Sequence, residues 1–114
     1  MSRISEMLDA ARPRPRVNIA EVARAARPYL LELCQRWLPD GRLMGHEWTC
    51  GSLSGEAGAS CKVNIRTGRW ADFASGDKGG DAVSLCAAVH RLSQVEAAER
   101  LAKMLGMGGA TDGR

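Results

Sequence analysis

Apolar residues recur at three- and four-residue intervals on both sides of a central region that has a different pattern. In the N-terminal part these positions run from Ile19 to Trp37, and Asn18 in front of them is a suitable helix N-cap. Pro28 lies inside the stretch and lacks the backbone N–H that a helix interior needs. The pattern therefore predicts an amphipathic helical segment that is kinked or split near Pro28 and ends at the turn formed by residues 39–41.

The C-terminal part predicts two more helices. Asp81 is placed to cap the first, which carries apolar residues as far as His90. Ser93 and Glu96 have the spacing of a capping box at the start of the second, and Gly106 ends it.

The central region alternates between apolar and polar residues, which indicates β-strands. Residues 61–65 alternate strictly, residues 67–68 form a turn, and residues 69–73 return as the partner strand. Residues 47–50 add a further strand, and a loop rich in glycine and serine separates it from the hairpin. We therefore expect an α+β fold in which a three-stranded antiparallel sheet is flanked by N-terminal and C-terminal helices.

The chain divides into one domain and two short flanking segments. Residues 1–17 are predicted to form a short helix and a stiff arm, residues 18–106 the domain, and residues 107–114 a disordered glycine-rich tail. The arm carries Arg12, Arg14 and Arg16 between prolines. These arginines either contact phosphates or belong to a solvated linker.

Composition excludes several classes of protein. The chain has 114 residues, enough for one core, and 45% of them are hydrophobic. No apolar run reaches the roughly 18 residues that span a bilayer, and the N-terminus lacks the apolar core of a signal peptide. We therefore expect a cytoplasmic protein without a membrane partner.

The cysteines and histidines do not predict a metal site or a catalytic centre. The four cysteines, at positions 34, 50, 61 and 86, form no Cys-x-x-Cys or Cys-x-x-His pair. Their spacing favours buried, reduced thiols over metal ligands. His46 and His90 lie apart, and neither is placed beside a candidate nucleophile. We therefore expect no bound metal, no cofactor and no enzymatic activity.

Aromatic and basic residues are interleaved in the predicted sheet, a composition that suits the binding of unpaired bases. The aromatic residues are Trp48, Trp70 and Phe73, and the basic residues are Lys62, Arg66, Arg69 and Lys78. The alternative is that the rings fill the core between sheet and helices, where Trp37 is also expected.

The glycine-rich residues 76–81 also allow two interpretations, a phosphate-binding loop or a tight turn before a helix, and the turn is favoured.

Several segments, taken together, resemble a known family. They are Trp48-Thr49-Cys50, the segment Gly68–Asp81 (GRWADFASGDKGGD) and the helix pair that follows it. In this order they are similar to the N-terminal zinc-ribbon domain of phage and plasmid primase–helicases, within the zinc-binding domain family of bacterial primases. The resemblance covers roughly residues 19–106. It implies a ribbon domain that binds single-stranded template DNA beside a primase catalytic domain.

The zinc ligands of that family are missing here. Its Cys-x-x-His pair falls where this chain has Cys50-Gly51-Ser52-Leu53, and its Cys-x-x-Cys pair falls near residues 73–76, which contain no cysteine. We therefore expect a metal-free ribbon in which Trp70 and Phe73 take over the role of the metal in holding the hairpin. The family's catalytic and helicase domains have no counterpart, so no polymerising activity is carried over.

The sequence thus predicts an accessory module that binds DNA, single-stranded by analogy, in replication or priming of a phage, plasmid or other mobile element. The expected phosphate contacts are Lys62, Arg66, Arg69, Lys78, Arg12, Arg14 and Arg16, and the expected stacking residues are Trp48 and Trp70. A larger replication protein is a possible partner. The alternative is a phage-type interaction module that binds or inhibits a host nucleic-acid complex, as anti-CRISPR proteins do, without catalysis.

The distribution of charge predicts modest, salt-sensitive binding. The net charge is +3, and residues 1–42 carry all of the excess with eight basic and five acidic side chains. Residues 43–80 carry four of each. On this count the predicted ribbon is neutral, so any binding of DNA depends in part on the basic residues of the N-terminal arm.

Overall fold

Along the chain, an N-terminal group of helices is followed by the strands of one sheet and then by two further helices. The computed structural model describes residues 17–107, so residues 1–16 with the arginine arm and residues 108–114 of the glycine-rich tail lie outside the described residues. The helices are α1 (Ile19–Ala26), a 3-10 turn (Arg27–Tyr29), α2 (Leu30–Trp37), α3 (Ala82–His90) and α4 (Gln94–Met104). The strands are β1 (Arg42–Met44), β2 (Glu47–Cys50), β3 (Cys61–Asn64), β4 (Trp70–Asp72) and β5 (Asp77–Gly79).

The five strands form one antiparallel sheet in the order β1-β2-β3-β4-β5, with each strand paired to its neighbour in the sequence. The α+β class is confirmed, but the expected number of three strands is wrong. The two additional strands are the edges, and each has only three residues. All three residues of β1 are exposed, and β5 consists of Asp77, Lys78 and Gly79. Neither edge carries an alternating apolar pattern, so both depend on backbone pairing with an inner strand.

Helix boundaries follow the capping residues that the sequence indicates. The Asn18 side chain accepts a hydrogen bond from the Glu21 backbone N–H at 3.1 Å and begins α1. A 3-10 turn around Pro28 separates α1 from α2, as the missing proline N–H requires. Ser93 and Glu96 form the predicted capping box at the start of α4.

Two tryptophans tie the inner face of the sheet to the helical layer. The Trp48 indole N–H donates to the Leu38 carbonyl at 2.9 Å, just after α2. The Trp70 indole N–H donates to Ser84 Oγ at 2.9 Å, in the first turn of α3. Gly79 lies opposite Trp70 in the sheet, and a Cβ atom there would collide with the Trp70 ring and with Ser84 Oγ. The close approach of β5 to the ring therefore requires glycine.

The core lies between the inner face of the sheet and the helices. It contains aliphatic side chains from all four helices, together with Trp37 and the four cysteines. The prediction that Trp37 and the cysteines are buried is confirmed, and all four cysteines are free thiols. None of the helices within residues 17–107 is long and apolar enough to cross a membrane.

Candidate nucleic-acid interface

The side of the sheet that faces away from the helices carries a row of basic residues, because alternate side chains of a strand point to opposite faces. Strand pairing places Arg42, Thr49, Lys62, Ala71 and Lys78 side by side across the five strands, so that a cation stands on every second strand and the buried Thr49 lies between the first two cations. Strands lie about 4.8 Å apart, so neighbouring cations of this row are separated by about 10 Å. We call this side of the sheet the outer face.

An open groove runs over the part of the outer face that belongs to β3, β4 and β5. Three cations, Lys62, Arg69 and Lys78, contribute to its lining, against one carboxylate, Glu47. Arg69 and Lys78 are exposed, whereas Lys62 is half-buried. The groove therefore presents an excess of positive charge to solvent, and three of the four basic site residues predicted for the sheet are brought together there.

Two acidic residues of the sheet lie on the other side. Asp72 and Asp77 form a cross-strand pair on the inner face, where Asp72 is buried. The Asp72 carboxylate accepts hydrogen bonds from the backbone N–H groups of Ala74 and Ser75 and orders the turn between β4 and β5. Because Asp72 and Asp77 lie on the face opposite Lys62 and Lys78, a count of charges along residues 43–80 does not describe the outer face.

Phe73 is the exposed aromatic residue of this interface. It follows β4, keeps 71% of its surface exposed and lines the groove together with Lys62 and Lys78. Its backbone N–H donates to the Ser60 carbonyl at 2.7 Å, which fixes the chain next to the ring. The expectation that Phe73 helps to hold the hairpin is wrong, because alternation directs Asp72 inwards and Phe73 outwards. The same alternation, read from Trp70 onwards, could have identified Phe73 as the outward ring.

Trp48 and Trp70 do not offer the stacking surface predicted for them. Only 7% of Trp48 and 5% of Trp70 is exposed, and both side chains lie on the inner face of the sheet. Each indole N–H is already hydrogen-bonded to the helical layer. Both rings are core residues, which was the alternative interpretation, and Phe73 replaces them as the aromatic candidate.

The remaining predicted contacts lie away from the groove. Arg66 is exposed in the turn after β3, where the Asn64 side chain accepts hydrogen bonds from the backbone N–H groups of Arg66 and Thr67. This places Arg66 at one end of the β3–β4 hairpin, outside the residues that line the groove. The predicted contacts Arg12, Arg14 and Arg16 lie outside residues 17–107.

The glycine-rich segment 76–81 forms β5 and the start of α3. The Asp81 side chain accepts a hydrogen bond from the Ser84 backbone N–H at 2.8 Å, and the Ser84 side chain closes the capping box. A carboxylate thus occupies the end of α3 that a phosphate would otherwise approach. This geometry supports the tight-turn interpretation of the segment.

Cys86 and His90 lie one helical turn apart in α3, but their geometry does not activate the thiol. His90 Nδ1 is 3.1 Å from the Cys86 carbonyl oxygen and 3.6 Å from Sγ, and only a protonated Nδ1 can bond the carbonyl. Burial raises the pKa of the Cys86 thiol. Cys86 therefore stays protonated at neutral pH and is a poor nucleophile.

Within residues 17–107 no group of three or more His, Cys, Asp or Glu side chains is placed to hold a metal ion. Comparison of the chain with protein-family models, curated proteins and solved structures gives no match.

Proposed function

We propose that this chain is a non-catalytic module that binds single-stranded nucleic acid through the outer face of its sheet. The observation that carries the proposal is Phe73, an aromatic ring with 71% of its surface exposed, in a groove lined by Lys62, Arg69 and Lys78. Exposed aromatic rings beside cations are how proteins bind unpaired bases while neutralising the phosphate backbone.

The arrangement favours a single strand over a duplex. A base can stack on Phe73 only when its face is free, which pairing and stacking within a duplex prevent. The cations of the outer face lie in a line that crosses the strands, so a backbone running across the sheet meets Lys62 and Lys78 in turn. Phe73, on the same face, then lies beside this path.

The resemblance to primase zinc-ribbon domains supports a role in replication or priming of a mobile element. Residues 68–81, its most specific part, include β4, β5 and, among the residues of the groove, Arg69, Phe73 and Lys78. We propose DNA as the nucleic acid and a larger replication protein as the partner. Arg12, Arg14 and Arg16 would add phosphate contacts to those of the sheet.

Titration of a fluorescently labelled oligothymidylate with the full chain tests this proposal. The three groove cations alone predict a slope of about −2 for the logarithm of affinity against the logarithm of salt concentration, and contacts of the N-terminal arm make this slope steeper. Raising salt fourfold, from about 50 to about 200 mM, is then expected to weaken binding by a factor of about 20 or more. A duplex of the same length is expected to compete poorly. No binding at the lower salt concentration, or equal competition by the duplex, would contradict the proposal.

A second candidate function is the binding of a protein from a host nucleic-acid complex. The observation in its favour is an open groove between the 3-10 turn, α2 and α4, where Tyr29 is 48% and Met104 is 40% exposed beside Leu33 and Leu105. Under this alternative, Tyr29→Ala abolishes binding of a partner protein, whereas changes on the outer face leave that binding unchanged.

A further inference from the structure

Cys50 and Cys61 face each other across two strands of the sheet. Strand pairing places them directly opposite, Cys50 at the end of β2 and Cys61 at the start of β3. Both side chains are on the inner face and fully buried. The Cys50 thiol also donates to the Ser52 carbonyl at 3.2 Å. The two thiols therefore face each other across β2 and β3, on the same side of the sheet.

The backbone separation of the pair is compatible with a disulfide bond. Opposite residues of antiparallel strands alternate between hydrogen-bonded and non-hydrogen-bonded pairs. The Ile65 N–H donates to the His46 carbonyl at 2.9 Å, which makes that pair hydrogen-bonded, and Cys50 and Cys61 are four residues further along. Hydrogen-bonded pairs have Cα atoms about 5.5 Å apart, close to the usual separation in disulfides.

We propose that Cys50 and Cys61 are a redox-modification site at which a small peroxide forms a reversible disulfide. The Cys50 thiolate attacks hydrogen peroxide, breaks the O–O bond and becomes a sulfenic acid, and the departing hydroxide takes up a proton to become water. The Cys61 thiol then attacks the Cys50 sulfur, and its proton passes to the departing hydroxide, which leaves as water. Two thiols and one peroxide thus give one disulfide and two water molecules.

The environment distinguishes this pair from the other two cysteines. The hydrogen bond from Cys61 lowers the pKa of Cys50 and raises that of Cys61, so Cys50 is the attacking thiol. Burial, with a smaller effect of Cys50, raises the pKa of Cys34 to about 12. Burial likewise raises the pKa of Cys86. Cys34 and Cys86 therefore remain protonated and react slowly.

The loop between β2 and β3 determines how a peroxide reaches the two sulfurs and how strongly the disulfide stabilises the fold. Residues 51–60 join the two strands and include Gly55 and Gly58, whose φ angles of +85° and +152° favour glycine. Because both thiols are fully buried, their reaction with the peroxide requires this loop to open transiently. The disulfide then closes a short loop and fixes the pairing of β2 with β3, for which we expect Tm to rise by about 10 °C.

The test is peptide mapping of the full chain after treatment with hydrogen peroxide and alkylation of the remaining thiols. Trypsin and Glu-C together cut after Glu47, Glu56 and Lys62, which puts Cys50 in residues 48–56 and Cys61 in residues 57–62. The proposal predicts that these two peptides are linked and that dithiothreitol separates them. It also predicts that titratable thiols in denaturant fall from four to two.

Single variants keep the test specific. Cys34→Ser and Cys86→Ser are expected to retain the link and the rise in Tm, and Cys61→Ser is expected to lose both. A link that involves Cys34 or Cys86, or oxidation of Cys50 without any link, would overturn the proposal. The outcome is independent of nucleic-acid binding, because neither cysteine lies on the outer face.

Discussion

Replacing Trp70 with alanine is expected to lower the free energy of unfolding by about 3–5 kcal/mol. The ring is 95% buried by the fold, lies against Gly79 of β5 and donates a hydrogen bond to Ser84 of α3. The substitution therefore leaves a large cavity and removes a link between sheet and helices. Urea denaturation followed by circular dichroism measures the change.

Two further variants extend this test. One separates the stability lost through the cavity from that lost with the hydrogen bond, and the other compares an inner-face ring with an outer-face ring. Trp70→Phe keeps most of the ring but loses the bond to Ser84, and is expected to destabilise the protein less than Trp70→Ala. Phe73→Ala, only three residues away but exposed, is expected to change stability by no more than about 0.5 kcal/mol. Equal stability losses in Trp70→Ala and Phe73→Ala would contradict the assignment of inner and outer faces.

Phe73→Ala is expected to weaken binding of oligothymidylate by roughly 5- to 150-fold. This range corresponds to the loss of one stacked base, worth about 1–3 kcal/mol. Because the ring is exposed, the variant keeps its fold, so the loss reports on the interface alone. Fluorescence anisotropy at low salt measures the affinities.

Phe73→Trp is the matched control for the stacking role. A larger flat ring at the same position preserves or strengthens stacking, so this variant is expected to bind at least as tightly as the native chain. If Phe73→Ala bound oligothymidylate as well as the native protein, the ring would not be a stacking residue and the proposed interface would be wrong.

Local signals in the sequence were sufficient for much of the fold. Asn18 and Ser93 begin helices where the capping rules place them, because a side chain near the free N–H groups of a helix end decides its start. β1 and β5 carry no such signal. Arg42–Met44 is exposed throughout, and Asp77–Gly79 has residue types that are uncommon in strands, so only pairing with β2 and β4 makes them strands.

The residue types of the candidate site were predictable from the sequence, but the face of the sheet on which each residue lies was not. Sequence reasoning selected Lys62, Arg69 and Lys78, and the strand pairing brings these three together. The sequence also predicts stacking for Trp48 and Trp70, which are buried, and a hairpin-holding role for Phe73, which is exposed. Trp70 and Phe73 lie in one short segment, and the side to which each points depends on the alternation of β4 relative to the helices that cover one face of the sheet.

In the proposed interface, cations of the outer face contact the nucleic-acid backbone. The most direct test compares the salt dependence of oligothymidylate binding in two double variants that lose the same charge. One is Lys62→Gln with Lys78→Gln, on the outer face, and the other is Arg36→Gln with Lys103→Gln, on exposed positions of α2 and α4.

We expect the outer-face variant to bind more weakly at low salt and to reduce the magnitude of the salt slope by about 1.4, the value for two lost contacts to a single strand. The helix variant is expected to keep the native slope. If both variants shift the slope equally, or if only the helix variant does, the outer face is not the nucleic-acid interface.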